Sequence, residues 1–187
     1  MFSLKNKKNS LVLLLATLTL TSFAQSKDWM RFIPPGYQVL DTCGGDLDLD
    51  GHGDLLLILK DEAAEKKTTS EEQRPLMILI GQKDGTYYQA SKNNEAVMCK
   101  SCGGMMGEPY QRMVINKGFF SVEHYGGAAD RWSDIVTFKY DKKQKKWFLH
   151  KWGTETFSAT EGDKNKTTTT RTSKEFGVVE FEKFRRD

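Results

Sequence analysis

The chain has 187 residues, 38% of them hydrophobic and 28% charged, with a formal charge of +3. That length holds one domain with a proper core and needs no lattice of disulfides. Residues 1–24 carry three lysines and no acid, so without them the formal charge falls to about zero; the basic balance gives no argument for nucleic-acid binding.

The first stretch reads as a secretory leader. Lys5, Lys7 and Lys8 precede a short apolar run, Leu11 to Leu20. Ser22-Phe-Ala24 then offers small residues at the two positions a signal peptidase reads. Cleavage is expected after Ala24, which leaves Gln25 first. No Cys stands nearby, so no lipid anchor is expected. The apolar run is shorter than the ~20 residues of a membrane helix, so no membrane span is expected once the leader is gone. The expected location is periplasmic or secreted, with residues 25–187 as a single β-rich domain.

Trp29 to Tyr37 leads in, and Pro34-Pro35-Gly36 reads as a turn. A strand is expected over Tyr37–Thr42, and a second over Leu55–Leu59. The second is apolar on both faces, which marks it as central. Residues 61–74 are charged and polar and read as a mobile loop. Leu76–Ile80 is another buried strand. Asp84-Gly85 is a hairpin turn and Tyr87–Ala90 the returning strand. Asn93–Met98 reads as weak helix or loop, and Cys99–Gly107 as irregular.

Two hairpins follow. Arg112–Ile115 and Phe119–His124 flank Asn116-Lys-Gly118, and Asp134–Tyr140 and Trp147–Trp152 flank a lysine-rich tip. Alternation puts Phe148, His150 and Trp152 on one face of the last strand and Trp147, Leu149 and Lys151 on the other. Tyr125–Trp132 reads as a long flexible connection. The Thr/Lys-rich stretch 158–173 reads as a second mobile loop, and Phe176–Phe184 as a closing strand. The expected fold is all-β: an antiparallel, hairpin-rich sandwich or curved sheet.

Between the first two strands lies Asp46-Leu-Asp-Leu-Asp-Gly-His-Gly-Asp54, with the pattern D-x-D-x-D-G-x-x-D. Carboxylates on alternate residues of a tight loop converge on one point. Calcium takes six to eight oxygens at roughly 2.3–2.6 Å. Asp46, Asp48 and Asp50 are the expected ligands, with the backbone carbonyl of His52 next and Asp54 closing the set. Gly51 permits the turn. An EF-hand would need a Glu at the twelfth loop position and flanking helices; here that position is Leu57 and the flanks read as strands. The result is one β-loop-β calcium site.

Gly45-Asp-Leu-Asp-Leu-Asp-Gly-His-Gly-Asp-Leu-Leu-Leu57, followed by Leu76-Met-Ile-Leu-Ile-Gly-Gln-Lys-Asp-Gly-Thr-Tyr87, resembles one FG-GAP (VCBS-type) repeat over roughly a quarter of the chain. Those repeats carry a GDxNxDGxxDLxV loop and a strand ending in LLGxGDGTF. This chain has Asp48 where Asn is common, Gly53 before the closing Asp54, and Tyr87 where Phe is common. The resemblance implies calcium in the loop. A propeller needs about four to eight blades; only one repeat is present, so a full propeller is not expected.

Cys43, Cys99 and Cys102 are the three cysteines. An odd count in an exported chain suggests one bridge and one remaining thiol. Cys99–Cys102 is one candidate pair, and Cys43 with either of them another. The C-x-x-C spacing also admits a thiol-redox pair, though Gly103-Gly104 argues for a loop and not for the helix start such a site uses. Met98, Met105, Met106 and Met113 stand near the cysteines; thioethers suit Cu(I), but methionine also fills irregular gaps in a core.

His124, with Asp130 and Arg131 close in sequence, is a polar constellation that could supply a general base. No nucleophile elbow, zincin helix or Walker loop accompanies it, and no residue is assigned as catalytic. Two functions follow. The first is an exported calcium-binding β-domain that binds a protein or glycan at the cell envelope, without catalysis. The second is an exported thiol-redox or hydrolytic enzyme using Cys99/Cys102 or His124.

Overall fold

The computed structural model describes residues 27–67, 69, 71–160 and 162–186; the expected leader lies outside them. The described chain forms two antiparallel sheets. The first has four strands in sequence order: β1 (Tyr37–Gly45), β2 (Asp54–Asp61), β3 (Arg74–Gly81) and β4 (Tyr87–Val97). The second has five, also in sequence order: β5 (Tyr110–Asn116), β6 (Phe119–Gly127), β7 (Asp130–Asp141), β8 (Lys146–Ser158) and β9 (Gly162–Thr172). The described residues are all-β with few helical turns, and neither sheet closes into a barrel. Among the described residues, no helix is long and apolar enough to cross a membrane.

The apolar run of β2 has a direct cause. Leu56 and Ile58 enter a core shared with Ile78 of β3 and with Phe120, Val136, Phe138 and Leu149 of the second sheet. Leu55, Leu57 and Leu59 point the other way, into a second cluster with Met77, Leu79 and Tyr87. Trp29, Phe32 and Ile33, from the 3-10 turn Lys27–Phe32 and the residue after it, pack against that outer face. Both faces of β2 are therefore dry. Burying each leucine is worth about 1.5–3 kcal/mol.

Several stretches differ from expectation. β4 runs through Asn93 to Val97, where weak helix or loop was expected. The ladder with β3 slips there, between Arg74 and Leu76. Buried Asn93 sits at the slip: its amide donates to the carbonyls of Phe181 and Phe184 at 2.7 and 2.9 Å, and its oxygen accepts the N–H groups of Glu95 and Ala96 at 2.7 and 2.6 Å. A polar side chain that satisfies irregular backbone reads as a loop signal in sequence.

Within 158–173, Gly162–Thr172 is the strand β9 where a loop was expected. Thr167, Thr168, Thr169 and Thr170 of β9 pair with Thr156, Glu155, Thr154 and Gly153 of β8. β-Branched threonine favours strand, but an exposed edge strand carries no apolar alternation to reveal it. Within the other loop, 61–74, a short helix α1 (Glu62–Glu65) starts at Asp61, whose carboxylate accepts the Ala64 N–H at 2.7 Å.

The connection after His124 is a tight turn. β6 continues to Gly127 and β7 resumes at Asp130, with Tyr125 opposite Ser133. In β8, Trp147, Leu149 and Trp152 all point inward. A bulge between Lys151 and Leu149 shifts the register, and an inserted residue reverses the alternation. Trp152 therefore joins Leu149, not Phe148 and His150. The expected closing strand is instead the helical turn α2 (Ser173–Phe176), a single bridge at Glu180 to Phe148, and a 3-10 turn Phe181–Lys183. That turn drives Phe181 and Phe184 together into the core, where both rings meet Phe138 edge-on at 5.1 and 5.3 Å.

Candidate functional site

The β1–β2 connection folds back on itself through its own aspartates. Asp46 Oδ1 accepts the Leu49 N–H at 2.7 Å, Asp48 Oδ1 the Asp50 N–H at 3.1 Å, and Asp50 Oδ1 the His52 N–H at 2.7 Å. Such side-chain turns compete with strand and end it here. Gly51 adopts φ +87°, and Leu49 also takes a left-handed φ of 65°, unusual for a residue with a branched side chain. Leu47 is fully buried in the inter-sheet core and pins the loop from below.

This folding brings Asp46, Asp48 and Asp50 together. One carboxylate oxygen from each lies within 4.8 Å of the other two. Burial and the charge of Asp50 push the Asp48 carboxyl above its ordinary value. The donor set is oxygen only, which suits a hard cation. Asp48 Oδ1 and Asp50 Oδ1 each accept a backbone N–H of the turn, and the second oxygen of each is the one a cation would take.

Asp54 is placed differently from the other three. It is 2% exposed and lies beneath the loop. One oxygen accepts the N–H groups of Leu47 and Asp48 at 2.6 and 3.3 Å, and the other accepts the Gly81 N–H at 3.0 Å. Burial pushes its carboxyl up to about 6, against the pull of those three donors. Its role in this geometry is to latch the loop to the end of β3. His52 contributes its N–H to Asp50, and its ring does not join the carboxylate group.

The loop sits where the two sheets meet. The Gly118 N–H, from the β5–β6 turn, donates to the Asp46 carbonyl at 3.2 Å. Leu49 lies over Gly118 closely enough that a side chain there would crowd it. Tyr88 of β4 and Tyr140 of β7 both feel the loop's charge; burial and Asp48 raise their hydroxyls above the ordinary range. A cleft of about 450 Å³ opens beside Asp48 and Asp50, lined also by Gln82, Lys83 and the half-exposed Tyr88.

The remaining candidates separate. Cys99 and Cys102 stand at disulfide distance, with Cα atoms 5.1 Å apart, and Cys43 pairs with neither. Met113 belongs to the inter-sheet core, whereas Met105 is 89% exposed. Asp130 and Arg131 do not meet His124. Asp130 opens β7 at the surface, and the Arg131 guanidinium contacts the Met106 sulfur.

His124 instead faces Asp134 and Arg186, two residues the sequence did not single out. Asp134 is its cross-strand partner, a pairing the hairpin register could have revealed. Arg186 is distant in the chain and carries no local signal.

Compared with known proteins, the chain matches no family model, no curated protein and no solved structure. None of these comparisons identifies an FG-GAP repeat in it.

Proposed function

We propose that this chain is an exported calcium-binding β-domain that acts as a binding module at the cell envelope. The observation that carries the reading is the convergence of Asp46, Asp48 and Asp50 on one point of a latched β-loop-β turn. The two sheets pack as a sandwich, and the loop touches both. Calcium held by these carboxylates offsets their mutual repulsion and fixes the end of the sandwich. The cleft beside the loop, with Tyr88 at its wall, is the face offered to a protein or glycan.

The enzymatic alternative has less support. His124 is 1% exposed, and its ring nitrogens face a backbone N–H and the Asp134/Arg186 pair. Cys99 is buried, and a short turn, not a helix start, follows the pair.

The test is calcium titration of chelator-stripped protein, residues 25–187, by calorimetry. Expected is one site with a dissociation constant on the order of 10⁻⁴ M or tighter, the range of extracellular modules or better, lost in Asp48→Ala/Asp50→Ala. Equal binding by that variant, or none to the parent at millimolar calcium, rejects the reading.

A further inference from the structure

At the end of the sheets away from the acidic loop, Arg186 reaches across from the C-terminal segment. Its Nη1 donates to Asp134 Oδ1 of β7 at 2.5 Å, and Nη2 and Nε donate to the Ala96 carbonyl of β4 at 3.0 and 3.3 Å. One side chain thus ties a strand of the first sheet to a strand of the second. His124 of β6 lies against this tie. The Met98 N–H donates to its Nε2 at 3.1 Å, so a neutral ring carries its proton on Nδ1. That nitrogen faces Asp134 Oδ1 at 3.8 Å and Arg186 Nη2 at 3.2 Å.

The other charged and titratable neighbours are engaged elsewhere. Tyr110 of β5 meets the ring edge-on, and its hydroxyl donates to Asp41. Glu108, just before β5, binds Arg74. Trp152 of β8 donates its indole N–H to the second Asp134 oxygen at 2.5 Å, and Arg171 of β9 covers that indole.

We propose that His124, Asp134 and Arg186 form an acid-sensitive clasp, in which protonation of His124 displaces Arg186 and frees the segment after Phe184 from both sheets. The neutral ring already turns its Nδ1–H toward Arg186, so protonation adds a donor at Nε2 and, on the Arg186 side, a charge. A protonated ring has N–H on both nitrogens; its Nε2–H then meets the Met98 N–H, and a second cation stands beside Arg186 in a dry site. Asp134 Oδ1 faces both cations. Arg186 lies in no strand, beyond the buried Phe184, and its side chain is already 12% exposed, so it can turn out to water, whereas His124 is held in the middle of β6. Asp134 then exchanges Arg186 for the His124 Nδ1–H. Phe184 stays packed between Phe138 and Trp152, which confines the opening to the residues after it.

Burial holds His124 below its ordinary 6.5; Asp134 pulls it back up and Arg186 pushes it further down. The released state takes up the proton first. The clasp is therefore closed above the ordinary value and is lost as pH falls from there through the folded one.

The test is a pH titration of the folded protein by NMR, following the His124 ring nitrogens, the Met98 amide, the Ala96 carbonyl carbon and the Arg186 Nε–H. Expected is a single midpoint below that of a free histidine, shared by all four signals. Arg186→Gln raises the His124 midpoint by roughly one unit and abolishes the Ala96 response. Arg186 and Ala96 signals that stay constant while His124 titrates overturn the proposal. So does an unchanged His124 midpoint in Arg186→Gln, or global unfolding before any local opening. If Arg186→Gln does not fold, His124→Gln decides: its Arg186 stays latched through the acid range, and opening at the parent's pH overturns the clasp.

Discussion

Asp54 and Gly81 join the acidic loop to the second hairpin through one hydrogen bond of 3.0 Å from the Gly81 N–H to the buried carboxylate. The other oxygen of the same carboxylate takes the Leu47 N–H at 2.6 Å. Asp54 thus holds the two ends of the loop against a strand that is not part of it. Asp54→Ala leaves those donors buried without an acceptor, at about 1–3 kcal/mol for each group left unsatisfied. A loss of roughly 2–4 kcal/mol is expected in denaturant unfolding, and Asp54→Asn, which keeps one acceptor oxygen, loses less. Equal losses in the two variants would contradict the latch.

Asn93 makes four hydrogen bonds at the slip in β4, two of them to the turn that carries Phe181 and Phe184. Asn93→Ala is expected to cost roughly 2–4 kcal/mol. It also loosens Phe181 and Phe184, which hydrogen exchange across residues 181–184 reads directly. Loss of stability without faster exchange there would sink the account.

Arg74 is 2% exposed and binds Glu108 through both Nη nitrogens, at 2.6 and 2.5 Å, and Glu65 through Nη2 at 3.0 Å. It ties α1 to the segment before β5. The carboxylates left behind by Arg74→Ala are partly exposed, Glu108 by 41%, so water can solvate them and the loss is about 1–3 kcal/mol. Arg74→Lys restores charge but not the fork, so thermal unfolding should rank the parent above Arg74→Lys and that above Arg74→Ala.

The Cys99–Cys102 bridge closes a loop of sequence separation three. Loop-closure entropy for so short a ring amounts to about 2 kcal/mol or less. Cys99→Ser/Cys102→Ser should lower the melting temperature modestly and leave calcium binding intact. A reductase activity in the parent that vanishes in this variant would instead restore the redox reading.

What the sequence revealed followed the dry positions. The two-faced apolar run of β2, the turn at Asp84-Gly85 and the hairpins around Gly118 and the lysine-rich tip were all legible, because burial and turn chemistry are local signals. β9 was not, since an edge strand of threonines and lysines has nothing to bury. Phe181 and Phe184 looked like strand residues, and only the tight turn puts both rings on the same side.

Within the candidate site, the spacing of Asp46, Asp48 and Asp50 was legible because a loop this short leaves alternate side chains few directions to point. The inward turn of Asp54 depends on the Gly81 N–H, which no local pattern encodes. Asp134 and Arg186 gather at His124 by sheet register and chain end, and Asp130 and Arg131, closer in sequence, do not.

The central claim is that calcium binds this loop and thereby steadies the fold. Its most direct test is thermal unfolding of residues 25–187 with calcium and then with excess EGTA. A ligand confined to the folded state adds about 2.7 kcal/mol at a hundredfold excess over its dissociation constant. The account predicts a clear fall in melting temperature with EGTA, reversed by calcium and absent in Asp48→Ala. An identical melting temperature in both conditions, for protein shown by metal analysis to be calcium-free after EGTA, would contradict it.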